Sequence, residues 1–490
     1  MSVFVRGALL LALVAAQAAP PPAFEPAQPQ LFAAGGTFVN AWADFDVDGD
    51  LDLFVGFGAT ANRLYRNDAG VFADVADAAG LAATRGTRAA AWGDYDADGD
   101  PDLFIGLVAG TGSVLRLFRN DRGSFIDVTA AAGLGLDAGA VRQPAWIDID
   151  ADADLDLFVA FRDRPNALFR NDAGRFTEDA SARGLADARR TVGAVWFDYD
   201  EDHDLDLYVA NMDGDANGLF RNDAGRFTDV AAAAGVEWGG RAPRDPANGT
   251  VRPCAADVNN DGRLDLFMAN YGPNGLFLNR GGGRFDDVSA AWGIAIDARY
   301  DTCAFADIDH DGDLDLYVNG TVTGGVSHRD YLFRHTGSRF EDVTPDHVRA
   351  LQADHGAAWA DFDRDGDLDL ALTGVRPDGM HALLRNQLAP PGRSRALQVS
   401  VVDSRGRALF AGAEVRVFAA GSTRLIGLRL VDSGSGYNAQ SDMPVHVAIP
   451  GGGDVDVEVR PASSKASPAR IGGVRVADQA GRVLVVKVVR

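Results

Sequence analysis

Along most of this chain short apolar runs alternate with clusters of Asp, Asn and Gly, and no stretch keeps a helical period for long. That pattern predicts short strands punctuated by turns. One cassette recurs. A short run ends with an aromatic residue two positions before an acidic loop: Trp42, Trp92, Trp146, Trp196, Phe305 and Trp359, with Ala255 the exception. After the loop comes a β-rich run such as Leu51 to Val55 or Leu205 to Val209. A Leu-Phe-Arg-Asn run follows (Leu168 to Asn171, Leu219 to Asn222), then an Asn-Asp-Ala-Gly turn and a last run such as Arg226 to Val230. That makes four strands per cassette. The acidic loops begin at Asp44, Asp94, Asp148, Asp198, Asp257, Asp307 and Asp361, spaced 50, 54, 50, 59, 50 and 54 residues apart. Four antiparallel strands at such a period form one blade of a β-propeller. The expectation is an all-β fold whose main body is a seven-bladed propeller.

The ends refine this picture. The seventh copy stops after Leu383 to Asn386 and lacks its last strand, while Phe24 lies 20 residues before Asp44, close to the spacing elsewhere. Residues near Phe24 are therefore expected to complete the last blade and close the ring. Past 389 the cassette disappears, and alternating Val (Gln398 to Val402, Glu414 to Phe418, Val455 to Val459, Val483 to Val489) predicts a small antiparallel β-sandwich over 390–490. Residues 1–18 read as an export signal: Arg6, an apolar run, then Ala16-Gln17-Ala18 as a cleavage site. This leaves 19–389 as the propeller and predicts a secreted or periplasmic protein without membrane insertion.

Charge narrows the function. The 490 residues carry 70 Asp and Glu against 46 Lys and Arg, a net charge of −24, which argues against nucleic acid and anionic membrane surfaces as partners. Much of the acidity lies in the loops. They hold Asp44, Asp46, Asp48, Asp50 and Asp52; Asp94, Asp96, Asp98, Asp100 and Asp102; Asp148, Asp150, Asp152, Asp154 and Asp156; and Asp198, Asp200, Asp202, Asp204 and Asp206. The remaining three hold Asp257, Asn259, Asp261, Arg263 and Asp265; Asp307, Asp309, Asp311, Asp313 and Asp315; and Asp361, Asp363, Asp365, Asp367 and Asp369. Alternating oxygens around a turn glycine suit Ca²⁺, which takes about six to eight oxygens. Positions 1, 3, 5 and 9 are expected to give side chains and position 7 a main-chain carbonyl, since Arg263 stands there in the fifth copy. Position 12 is Val55 in the first copy, so the loop is not an EF-hand. Ala153 and His203 replace the turn glycine in copies three and four, so copies one, two, six and seven are expected to bind best, with up to seven Ca²⁺ in all.

These cassettes resemble FG-GAP/VCBS repeats, as in integrin α-chain propellers. The tail resembles an ASPIC/UnbV domain, through Gly412 to Val417, Gly434 to Ser441 and Pro444 to His446; Ile449-Pro-Gly-Gly-Gly departs from that pattern. Together they resemble the cartilage acidic protein family, which implies calcium binding and extracellular adhesion or matrix roles. The reading is a non-catalytic secreted scaffold that binds an extracellular protein or glycan. The alternative is a polysaccharide lyase or hydrolase on the same propeller, but no differentiated acid/base pair stands out. The Trp series is expected to pack between blades. Cys254 and Cys303 are expected to be two buried thiols more than a disulfide. The variable loops opposite the acidic ones, Trp238 to Asn248 (with Arg241 and Arg244) and Gly320 to Asp330 (with His328 and Arg329), are expected to centre the partner surface.

Overall fold

Runs such as Asp52–Phe57 are buried along their whole length, so they must be sheet interior rather than one-sided surface strands. A computed structural model describes residues 22–489 apart from 109–112, 352, 376–380, 389–394, 433–438, 442–443 and 464–465. The export segment and the boundary near 389 lie outside the described residues. In the first cassette Thr37–Ala43, Asp52–Phe57, Arg63–Asp68 and Val71–Asp74 form an antiparallel meander, with Trp42 opposite Leu53. The same meander recurs in each cassette, giving seven four-stranded units among the described residues. Their innermost strands touch in chain order, and the seventh (Ala357–Ala360) returns to the first. The ring closes as expected: Phe24–Pro26 pairs antiparallel with Ala382–Asn386, placing Phe24 opposite Asn386.

Two devices lock neighbouring blades. The Trp rings fill the space between them, and the indole N–H of Trp92, Trp146 and Trp359 donates to Ala41, Ala91 and Ala304 of the preceding blade. The Asn that ends the third strand does the same work on the loop side. Asn120 Nδ2 donates to Phe45 O of the blade before (2.7 Å) and to Pro101 O of its own loop (3.0 Å). Asn67, Asn171, Asn279 and Asn386 make the same inter-blade bond. Asn120 is fully buried, so Asn120→Ala takes the side-chain donor from two carbonyls and is expected to cost about 1–3 kcal/mol, checked by denaturant melts.

Cys254 and Cys303 form a disulfide between the innermost strands of blades five and six, with Cα atoms 6.3 Å apart. This corrects the expectation of free thiols. Those strands are not hydrogen-bonded to each other at that point, so a one-residue difference in phase does not turn the side chains apart. A second tie joins the same blades: Asp265–Pro273 runs on past its own sheet, and Tyr271 pairs with Arg299.

The C-terminal unit is a sandwich of two sheets, one ordered Val445–Ala448, Ala396–Val402, Val483–Lys487 and the other Leu425–Leu430, Glu414–Ala419, Asp454–Arg460, Ala469–Arg475. They enclose a core of Leu397, Val399, Val415, Val417, Val447 and Val457, among others. One pair departs from the antiparallel expectation: Gln398 aligns parallel with Val483, because the chain returns through Ala469–Arg475 before its last strand. This unit sits on the acidic-loop face of the propeller. Ala439–Gln440 enters the central channel and pairs parallel with Asn40 and Ala41, and Gln440 Oε1 accepts from Trp92 N.

Candidate metal centres

All seven acidic loops share one backbone. Position 4 is left-handed in every copy: Val47, Ala97, Ala151, Glu201, Asn260, His310 and Arg364, with φ from 55° to 64°. Position 6 is left-handed too, at Gly49, Gly99, Gly262, Gly312 and Gly366, but also at Ala153 (φ 79°) and His203 (φ 70°). A side-chain residue in this region costs about 1 kcal/mol or more. Strain repeated seven times in one loop type marks a conformation held for a purpose, and copies three and four carry it at two positions.

The loop folds around its own first carboxylate. Asp44 Oδ1 accepts from Asp48 N and Oδ2 from Gly49 N, while Asp48 Oδ1 accepts from Asp50 N. Position 9 anchors the loop to the sheet: Asp52 Oδ2 accepts from Phe45 N and Oδ1 from Asn67 N. Position 7 turns its side chain away. Asp50 Oδ2 accepts from Ala69 N of the neighbouring turn, Asp154 Oδ2 from Ala173 N, and Arg263 Nε donates to Asn279 O. An Arg therefore replaces the Asp at this position without disturbing the loop.

The remaining oxygens converge. Ligand atoms lie within 4.8 Å of one another in Asp44, Asp46 and Asp48; in Asp94, Asp96 and Asp102; in Asp148, Asp150 and Asp156; in Asp198, Asp200 and Asp206; and in Asp307, Asp309 and Asp311. Position 3 carries the clearest signal. The Oδ1 atoms of Asp46, Asp96, Asp200, Asp309 and Asp363 are buried without a hydrogen-bond partner. A buried carboxylate oxygen aimed at two other carboxylates is costly unless a cation sits among them. These residues fit a hard, oxygen-seeking metal ion. The fifth loop differs: Asp261 Oδ2 accepts from Asn259 Nδ2 at 3.0 Å and pairs with Arg263 Nη2 at 2.6 Å. Its carboxylate is already satisfied by the protein.

Proton affinity follows the same geometry. Burial, aided by neighbouring carboxylates and opposed by backbone N–H bonds, raises Asp44 and Asp94 to about 6 and Asp361 to about 8. Burial lifts the position-9 carboxyls further: Asp52 to about 8 and Asp102 to about 9, with Asp369 well above the usual range. In the cation-free fold these groups hold protons that the unfolded chain, with carboxyls near 4, has lost. Between about pH 4 and pH 9 the native state therefore binds more protons, and its stability falls as pH rises. Melts in chelator are expected to show this decline from pH 5 to 9, while melts in excess divalent cation stay flatter.

The C-terminal unit reads these loops from above. Arg407 Nη1 contacts Ala153 O (3.5 Å), Arg416 Nη2 donates to Gly262 O (2.8 Å) and His446 Nε2 lies 2.8 Å from Gly366 O. All three are position-6 carbonyls, of loops three, five and seven. Gln398 Nε2 donates to Asp361 Oδ2, and buried Arg429 is attracted by Asp307 and Asp257. Loops one and two instead border a cleft of about 530 Å³ whose other wall includes Val402, Val483 and Val485. No spacing or motif in the chain announces this docking; its donors are scattered singly through the tail.

On the far face, Arg241 is not a surface group. It is 3% exposed and its guanidinium bonds Thr250 and the Asn211 carbonyl, bracing the long exit loop of blade four. This corrects its place among expected contact residues. Gly320 to Asp330 does project: Val322–Thr323 pairs with Val326–Ser327, and Val326 is exposed. Asp330 lies beneath, accepting from Tyr317 and Gly320 N.

The profile described as FG-GAP-like repeat matches residues 24–105, 148–209, 198–267, 257–318 and 321–372. Cartilage acidic protein 1 of mouse is 30% identical over 246 residues, 48% of this chain and 36% of its own length. The human protein is also 30% identical over 246 residues, and the Xenopus tropicalis protein is 29% identical. The chain thus spans about a third of the length of these relatives. Among solved structures, an Agrocybe aegerita lectin that recognises non-reducing terminal N-acetylglucosamine aligns with TM-score 0.40 and 18% identity, over 72% of this chain and 90% of that one. A Lactobacillus plantarum protein aligns with TM-score 0.40 and 14% identity, over 64% and 84%.

Proposed function

The chain belongs to the FG-GAP-like repeat family, and from that premise we propose that it is a secreted, calcium-stabilised scaffold that binds an extracellular protein or glycan without catalysing a reaction. The observation that carries the reading is the set of buried, partnerless position-3 oxygens, those of Asp46, Asp96, Asp200 and Asp309 belonging to carboxylate clusters of their own loops. Positions 1, 3, 5 and 9 would hold Ca²⁺, with the position-7 carbonyl completing the shell. The ion would neutralise carboxylates that the fold otherwise forces together and would fix the strained loop. The disulfide and the kinship with cartilage acidic proteins support an extracellular setting. Among the described residues no helix is long and apolar enough to cross a membrane.

The C-terminal unit occupies much of the loop face, which leaves the opposite face, with its projecting hairpin at Val322–Ser327, as the surface for partners. The test is a glycan and matrix-protein array probed with the purified chain in calcium and in chelator. Binding that needs calcium and is lost on shortening the 320–330 hairpin is the expected result. Binding that survives the deletion but is abolished by loop-face substitutions in a folded protein would place the partner on the other side.

A further inference from the structure

Successive acidic loops touch one another around the ring. The position-4 side chain of one loop reaches the position-7 carboxylate of the next. Asn260 Nδ2 donates to Asp313 Oδ1 at 2.9 Å, and Arg364 Nη2 lies 3.2 Å from Asp50 Oδ1. Between these two contacts stands a third pair with a wider gap. His310 Nε2, at position 4 of loop six, is 3.7 Å from Asp367 Oδ1, at position 7 of loop seven. Elsewhere position 7 also serves the turn that follows the third strand. The seventh copy leaves the ring without that turn, so Asp367 is relieved of this duty.

Beside this pair the C-terminal unit places His446, whose ring centre lies 5.5 Å from that of His310. His446 Nε2 is 2.8 Å from Gly366 O, and because a carbonyl only accepts, the proton sits on that nitrogen. Nδ1 therefore carries a lone pair, and it is buried without a hydrogen-bond partner. An imidazole whose other nitrogen donates to a backbone carbonyl is the arrangement of a metal-binding histidine. The three side chains are nearly inaccessible, at 3% for His310, 4% for Asp367 and 6% for His446. Arg429 is the charged neighbour on the tail; its Nε donates to His446 O at 3.2 Å, and its charge is drawn to Asp307 and Asp257. Zinc bonds of about 2.0–2.1 Å in a tetrahedron set ligand atoms roughly 3.4 Å apart and two imidazole centres about 5 Å apart, close to the 3.7 Å and 5.5 Å found.

We infer that His310, Asp367 and His446 form a site for one Zn²⁺, distinct from the seven acidic loops, which pins the C-terminal unit to loops six and seven. Two imidazoles and one carboxylate select a borderline ion of this kind over Ca²⁺, which takes oxygen ligands. Asp367 serves without dismantling its own loop, because position 7 turns its side chain away. His446 also borders a cavity of about 160 Å³ shared with Ser441 and Arg429, room for the water that completes a four-coordinate shell. The inference concerns a different ion from the scaffold reading and holds whichever ion the loops take.

The test is titration of the full chain, stripped of metal and re-equilibrated in excess Ca²⁺, with Zn²⁺ by calorimetry and with Co²⁺ by visible absorption. One Zn²⁺ per chain and a Co²⁺ spectrum of tetrahedral intensity are expected. His310→Asn is expected to weaken Zn²⁺ binding roughly a hundredfold, since even the partner behind a ligand is worth about ten- to a hundredfold. This variant should fold, because Asn260 holds the same left-handed position in loop five. His446→Gln is expected to lose the site as well. Hydrogen exchange across Val445–Ala448, slowed by Zn²⁺ in the wild type, gives a readout that needs no variant. No Zn²⁺ bound in excess Ca²⁺, unchanged affinity in folded His310→Asn, an octahedral Co²⁺ spectrum, or exchange indifferent to Zn²⁺ would each overturn the assignment. Zn²⁺ displaced competitively by Ca²⁺ would overturn it in favour of the acidic loops. Calcium binding measured on the same samples keeps failure here separate from failure of the scaffold reading.

Discussion

Excess chelator is expected to lower the melting temperature of the full chain by roughly ten degrees or more. Each ion bound only by the native state contributes about 2.7 kcal/mol when its concentration is a hundredfold above Kd, and several loops are built alike. The loops will not lose equally. Asp365→Ala is expected to cost more than Asp261→Ala, because Asp261 is already paired with Arg263 and bonded by Asn259. Loss of the ion should also reach the C-terminal unit, whose Arg407, Arg416 and His446 meet carbonyls that the loop conformation presents. Hydrogen exchange at the contacts of these residues should accelerate on chelation before the blade interiors open. An unchanged melting curve in chelator would remove calcium from the account.

Cys303→Ser is expected to destabilise the fold by about 2–4 kcal/mol. The disulfide closes a segment of 49 residues, long enough for its loss to free considerable conformational entropy in the unfolded chain. The ring contains further ties between the same blades, through Tyr271 and Arg299, so the variant should still fold. Denaturant melts of the variant, and of the wild type with and without reductant, check the magnitude.

Repetition made much of this fold legible in the sequence. Seven acidic loops, six of them with an aromatic residue two positions ahead, located every innermost strand, and the missing last strand of the seventh copy pointed to Phe24, which pairs with Asn386 as expected. The loop chemistry was legible for the same reason: copies compared with one another showed that position 7 tolerates Arg263. What stayed hidden depends on contacts between distant or non-repeating parts. The inter-blade bond of Asn120 to Phe45 spans 75 residues, and nothing local distinguishes that Asn from a turn former. The disulfide depends on how two inner strands lie side by side, which strand phase alone does not give. Left-handed position 4 is filled by six different residue types across the seven copies, so composition conceals it. The docking of the tail rests on single Arg and His side chains with no spacing to betray them.

The pairing of Ala439–Gln440 with Asn40 and Ala41 ties the first blade to a segment made some 400 residues later. The Phe24 to Asn386 closure finishes the seventh blade, so the first of the seven repeats to be made keeps its inner edge uncovered until after the ring itself can close. Until then its inner strand offers an open edge, and open edges recruit other strands. A chain of this design is most exposed to misassembly while it is nearly complete, and a helper that shields the first blade during that interval would protect the yield more than one acting on the finished ring.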